Sequence, residues 1–150
     1  MPQSLANILV HVTFSTKNRE RLIRPEIEGE LYPYLASICR ACDSPSHAVG
    51  GIEDHVHIAL TLGRTISVAK LLAEIKASSS KWIKTKGPQY AGFAWQNGYG
   101  ALSIGQAQLP TLNRYIGNQK EHHRSRSYQE EFREFLKRYQ VPYDERYVWD

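Results

Sequence analysis

Two short stretches of the chain hold side chains able to do chemistry together. The first is "DHVHIAL", residues 54–60. In an extended chain His55 and His57 lie on one side, while Val56, Ile58 and Leu60 face the other. Two neutral imidazoles on one side can bind one divalent ion. The second stretch is "LNRYIGNQKEHHRSR", residues 112–126. At helical spacing Tyr115 and Gln119 are i, i+4 neighbours on one face, and His122 and His123 continue on roughly the same side. The Gln119 side-chain oxygen would complete a His55–His57–Gln119 set and leave positions open. Mixed imidazole and oxygen ligation suits Mn²⁺ or Mg²⁺ and leaves room for a phosphate oxygen. Tyr115 would be the nucleophile on phosphorus; with an ordinary pKa of about 10, it needs proton removal or a nearby cation. The product would be a phosphotyrosine link. No serine or cysteine with a matching base stands out. Each motif also has a plain structural meaning: a pair of hydrogen-bonded surface histidines, and a core tyrosine beside a capped amide.

Those residues need elements to position them. Residues 5–15 alternate Ile8, Val10, Val12 and Phe14 against Leu9, His11 and Thr13, which predicts a strand. Ile27, Leu31, Tyr34, Leu35, Ile38 and Cys42 follow at helical spacing, with Pro33 inside the pattern as a kink or a start. "HAVGGIE" reads as a short strand with Gly50 and Gly51 at a turn or bulge, and the strand with His55 and His57 comes next. Ser67 is the expected N-cap of a helix over 67–85, with stripe Val68, Leu71, Leu72, Ile75, Ser79 and Trp82. "FAWQNGYGALSI" predicts a hairpin turning at Asn97-Gly98. Pro110 opens a helix over 110–124, a last helix covers 128–138, and the aromatic tail "VPYDERYVWD" is expected to fold back.

The order β-α-β-β-α-β is that of an α+β, ferredoxin-like (split βαβ, RRM-like) antiparallel sheet, with additional C-terminal helices. The two crossover helices cover one sheet face. The other face is expected to stay open, with His11, His55 and His57 on it.

The bulk numbers set limits around this picture. At 150 residues the chain is expected to be one domain, 1–150, with a core that needs no disulfide. The net charge of +4 leans mildly toward polyanions. The N-terminus lacks a basic lead and a long apolar run, and no stretch approaches a membrane span, so the expected location is the cytoplasm, with no membrane partner. Cys39 and Cys42 form a CxxC, but without a second pair they read as small buried side chains.

With both motifs in place, a family resemblance emerges. "GGIEDHVHIAL" resembles the HUH motif of single-strand DNA endonucleases, and "YIGNQKEHH" resembles the tyrosine helix of the IS200/IS605-family single-tyrosine (Y1) transposases. "HVTFSTKNR" and "WQNGYGALSI" are similar to further segments of that family, in the same order. The resemblance implies a metal-dependent transposase. It would cleave and rejoin single-stranded DNA hairpins at transposon ends through a 5′-phosphotyrosine and a free 3′-OH. It also implies a homodimer, in which the tyrosine helix can serve the partner's site, with Tyr115 as nucleophile and His55, His57 and Gln119 as ligands of Mg²⁺ or Mn²⁺. Related domains act on chromosomal repeat palindromes instead.

Further candidates for DNA contact are His11, Lys17, Arg19, His122 and His123. Lys70, Lys81 and Lys84 form a stripe that reads as a solvated helix face or a phosphate track. Two rival functions remain: a non-catalytic binder of structured single strands on an open sheet, and a phosphodiesterase that uses water.

Overall fold

A computed structural model describes residues 2–150. Seven-residue β1, Leu9–Ser15, leads into α1, Glu28–Ala41, then the hairpin β2, Ser46–Ile52, and β3, His55–Thr61. Helix α2, Val68–Ile83, is followed by β4, Gly100–Ile104, and three helices: α3, Leu109–Gly117; α4, Gln119–His122; α5, Tyr128–Arg138. The sheet order is β2-β3-β1-β4 and every pairing is antiparallel. This is the ferredoxin-like arrangement, with the additional C-terminal helices.

The core lies between the sheet and helices α1 and α2. Phe14, Val56, Ile58, Leu31, Leu35, Leu71 and Ile75 are buried there. Helix α2 starts where its cap dictates, since Ser67 Oγ accepts from Lys70 N at 3.0 Å. Helix α1 runs through Pro33, beginning five residues before it. The strand at residues 5–15 is shorter than expected, and Ile8 is exposed outside it.

Three expectations are corrected. The Asn97-Gly98 hairpin does not form: neither residue has the positive φ that a type I′ turn demands. Lys76 Nζ instead donates to the carbonyls of Gln96, Asn97 and Gly98, satisfying this loop without a cross-strand partner. The helix over 110–124 breaks at Asn118, whose ψ of 25° is not helical; Gly117-Asn118 supplies an ordinary helix stop. Above all, the second sheet face is not open. Helices α3 and α5 cover it, so β1 is buried along its whole length on both faces. Tyr128, Phe132, Phe135 and Leu136 of α5 are the apolar side chains that take it out of water, and Val148 and Trp149 of the tail pack behind them.

Two glycines permit this closeness. A Cβ at Gly50 would lie 2.5 Å from the Ile116 carbonyl oxygen of α3. One at Gly100 would collide with the Phe132 ring of α5. The absence of a side chain at each lets a helix lie directly on the strand.

A buried cluster of histidines, a carboxylate and a tyrosine

The pleat of β3 turns His55 and His57 toward the helix-covered face, and both are 0% exposed. Each meets groups delivered by the C-terminal helices. His55 Nε2 lies 2.9 Å from Gln119 Oε1 and 3.6 Å from Glu131 Oε1. His57 Nε2 lies 2.8 Å from Glu131 Oε1. His123 Nε2 approaches Gln119 Oε1 at 3.0 Å and Glu131 Oε2 at 3.4 Å. Tyr115 Oη donates to Glu131 Oε2. Ligand atoms of His55, His57, His123 and Glu131 all fall within 4.8 Å of one another.

The outer nitrogen of each ring is held. His55 Nδ1 sits 2.7 Å from Asp54 Oδ1. His123 Nδ1 donates to the Arg126 carbonyl at 2.7 Å. His57 Nδ1 meets His11 Nε2 at 2.8 Å. With Nδ1 donating, a neutral ring turns an Nε2 lone pair inward. The inward His55 Nε2 lone pair faces the Gln119 oxygen, while His123 Nε2, its pKa raised by Glu131 against the effect of burial, carries a proton toward that carboxylate. Acceptors facing acceptors at these distances repel unless a proton or a cation lies among them. The donor set therefore fits a divalent cation: three imidazoles, a carboxylate and an amide oxygen.

The electrostatics agree with a cluster built around positive charge. Burial alone would raise the Glu131 carboxyl, but hydrogen bonds from His123 and His57 outweigh it and hold the carboxyl far below its usual range. His57 is pushed down by burial, against the pull of Glu131. Burial and then His57 bring His11 down to about 3, so this ring is neutral. The Tyr115 phenol is raised, first by burial and then by the Glu131 carboxylate; Gln119 and the Arg126 guanidinium pull the other way.

The structure thus brings His55, His57, Gln119 and Tyr115 together within one chain. His123, expected as a DNA contact, faces the cluster. His122 stacks on the Tyr115 ring with centroids 4.4 Å apart. His11 is 1% exposed and backs His57, at the edge of a cleft between α3 and α5. Lys17 and Arg19 lie away from the cluster on a short 3-10 turn after β1, where the Arg19 guanidinium sits 5.8 Å over the Trp149 ring. Lys70 pairs with Glu74 on an exposed helix face. Cys39 is fully buried in the core.

Sequence reasoning passed over Glu131. Its signal lies in "YQEEFREFLKR", where the apolar stripe Tyr128, Phe132, Phe135, Leu136 has a carboxylate on its own face. Ionisable groups are almost never buried unless paired, so a Glu in that stripe demands partners on whatever it covers.

The pattern of the family described as "Transposase IS200 like" matches residues 4–119. None of the curated proteins compared matches the chain. Among solved structures, a chain assigned as a transposase of Deinococcus radiodurans R1 superposes with a TM-score of 0.61 at 20% identity, over 79% of this chain and 98% of that one. A REP-associated tyrosine transposase bound to a REP hairpin superposes with a TM-score of 0.58 at 15% identity, over 82% of this chain and 72% of that one. At those identities the two neighbours share the fold.

Proposed function

The chain belongs to the IS200-like transposase family, and from that premise we propose that it cuts and rejoins single-stranded DNA by covalent catalysis at Tyr115. The observation that carries this reading is the meeting of Tyr115 with the His55–His57–His123–Glu131 cluster inside one chain. His55, His57 and Gln119 would hold the divalent ion, joined by His123 and Glu131; the three imidazoles favour Mn²⁺ over Mg²⁺. That ion would polarise the scissile P–O bond and neutralise charge building on the phosphoryl oxygens.

The protein's own groups do the rest. The hydrogen bond from Tyr115 to Glu131 fixes the direction of the phenol oxygen, and the stacked His122 ring holds the phenol plane. Attack forms the Tyr115 Oη–phosphorus bond and breaks the phosphorus–O3′ bond, and the expelled 3′-oxygen takes a proton from water to become the free 3′-OH. Glu131, held far below the usual carboxylate range, orients the phenol as a hydrogen-bond acceptor, and a cation among the imidazoles would supply the charge that helps the phenol lose its proton. The Arg126 guanidinium supplies positive charge beside the forming bond. The phosphotyrosine keeps the energy of the diester for rejoining by a 3′-OH.

Hairpin-forming single strands at element ends or chromosomal palindromes are the proposed substrates, and a homodimer is the proposed assembly. In such a dimer the tyrosine helix would serve its own subunit's site or, as the family resemblance implies, the partner's. The open-sheet binder loses its surface, because α5 lies on that face.

The test is a denaturing gel of protein incubated with Mn²⁺ and labelled single strands drawn from DNA flanking its gene. Wild type is expected to give a covalent adduct, and Tyr115→Phe none. Cleavage without an adduct would assign the reaction to water and refute the nucleophile.

A further inference from the structure

Beside the cluster, between α3 and α5, a cleft of about 330 Å³ opens to solvent. It is of the size of a small-ligand site, about 300–1,000 Å³. Tyr115 and Glu131 form its inner end; Ile104, Leu112, Phe135 and Tyr139 form apolar and aromatic walls. Its remaining charged groups are Arg126, Arg138 and Glu134. The Glu134 carboxylate is gripped by both guanidiniums, with Arg126 Nη1 at 2.5 Å from Oε2 and Arg138 Nη2 at 3.2 Å from Oε1. Arg126 Nε is buried and has no hydrogen-bond partner among the described residues.

An oxyanion bracketed by two guanidiniums is the geometry by which arginines take a phosphodiester. Exposed ion pairs such as these contribute little stability, about 0–1 kcal/mol, so exchanging the Glu134 carboxylate for a phosphate costs little. Phe135 is 9% exposed and carries the Arg138 guanidinium 5.8 Å over its ring, so a base would stack on that guanidinium or on the half-buried Tyr139 ring, without regard to sequence. A cleft of about 330 Å³ is of the size for a single nucleoside.

We infer that this cleft seats the unpaired nucleoside next to the phosphodiester attacked by Tyr115, with Arg126 and Arg138 holding a phosphate of the same strand. The inference rests on the reading of Tyr115 as nucleophile. It adds a substrate subsite between α3 and α5 whose two arginines, Arg126 and Arg138, lie beyond residues 4–119 matched by the family.

The experiment uses the full chain in EDTA, so that binding is read without cleavage. Fluorescein-labelled hexamers of oligo(dT), oligo(dC) and oligo(dA) are titrated by fluorescence polarisation, and an oligo(dT) hexamer carrying 5-iododeoxyuridine is photo-crosslinked. Exposed Thr111, on the cleft wall, is replaced in Thr111→Trp to fill the space; circular dichroism checks its fold. The expected results are a crosslink in the peptide holding Phe135 and Tyr139, and a loss of affinity of about tenfold in Thr111→Trp, the worth of one stacked base. Arg126→Gln and Arg138→Gln each weaken binding and flatten its salt dependence. Equal binding by folded Thr111→Trp and wild type overturns the inference, as does a crosslink confined to other surfaces. The two readings fail differently. An Mn²⁺-dependent adduct formed equally fast by Thr111→Trp sinks the subsite and spares the nucleophile. Cleft binding with no adduct keeps the nucleoside seat and sinks Tyr115 as the nucleophile.

Discussion

Substituting Gly50 by alanine tests whether the position of α3 sets the chemistry. The added Cβ would stand 2.5 Å from the Ile116 carbonyl oxygen and 3.1 Å from Ile116 Cγ2. An ordinary contact begins at 3.4 Å, so strand and helix must separate by about 0.9 Å. The obstacle is backbone, which no rotamer change relieves. Tyr115 precedes Ile116, and the α4 residue Gln119 follows three positions later, so both are carried off the histidines of β3. Overpacking of this kind costs about 1–3 kcal/mol of stability, which leaves most of a typical domain folded. A misplacement of about 1 Å costs on the order of 100-fold in rate. The assay is the rate of Mn²⁺-dependent adduct formation under single-turnover conditions, with a urea melt alongside. A rate fall of about 100-fold in a folded protein is expected. A stability loss of the stated size with an adduct rate within twofold of wild type would refute the reasoning, because it would separate the helix position from the reaction.

Other outcomes follow from the same coordinates. Glu131→Ala removes the carboxylate that meets three histidines; Mn²⁺ affinity by calorimetry is expected to fall at least about tenfold, as for loss of groups that support a metal site, and an unchanged value would remove Glu131 from the donor set. Gly100→Ala drives against the Phe132 ring, so α5 should loosen; faster limited proteolysis within residues 118–138, with weaker Mn²⁺ binding because Glu131 rides on that helix, is the expected pair of effects. Cys39 is buried and its thiol is pushed up to about 12, so it stays protonated at pH 8; a thiol reagent should leave it unmodified in the native chain, and two rapidly reacting thiols would reopen the CxxC as a redox pair.

The sequence carried β1, β3 and α2 because their signals are local. Alternation in "HVHIAL" and Ser67 before an apolar stripe need no knowledge of the rest of the chain. Helix α5 was equally legible, over the same residues 128–138. What it covers was not, because a strand flanked by histidines and threonines has the pattern of a half-wet sheet. Nothing local reveals that another helix will satisfy those polar groups instead of water. Asn97-Gly98 misled for the opposite reason: a strong local turn signal was overruled by Lys76, 21 positions earlier in the chain, donating to its carbonyls. His55, His57, Gln119 and Tyr115 converged because spacing along one strand and one helical segment suffices to suggest a shared face. Glu131 did not, because its role depends on which surface α5 is laid against.

The family pattern ends at Gln119, yet two of the five inward donors, His123 and Glu131, lie after it. The segment beyond the pattern therefore completes the site as well as covering it. Glu131 accepts from Tyr115 with one oxygen and meets His57 with the other. A phosphorus atom open to attack by the phenol must come within bonding reach of that same phenol oxygen, while its own oxygens approach the cation among the imidazoles. The space is the one the carboxylate spans. On the reading of Tyr115 as nucleophile, an incoming phosphate would share the phenol with Glu131, whose other oxygen stays on His57. The Tyr115 phenol is raised first by burial and then by the Glu131 carboxylate, so a cation among the imidazoles is the group that would bring it down toward reactivity.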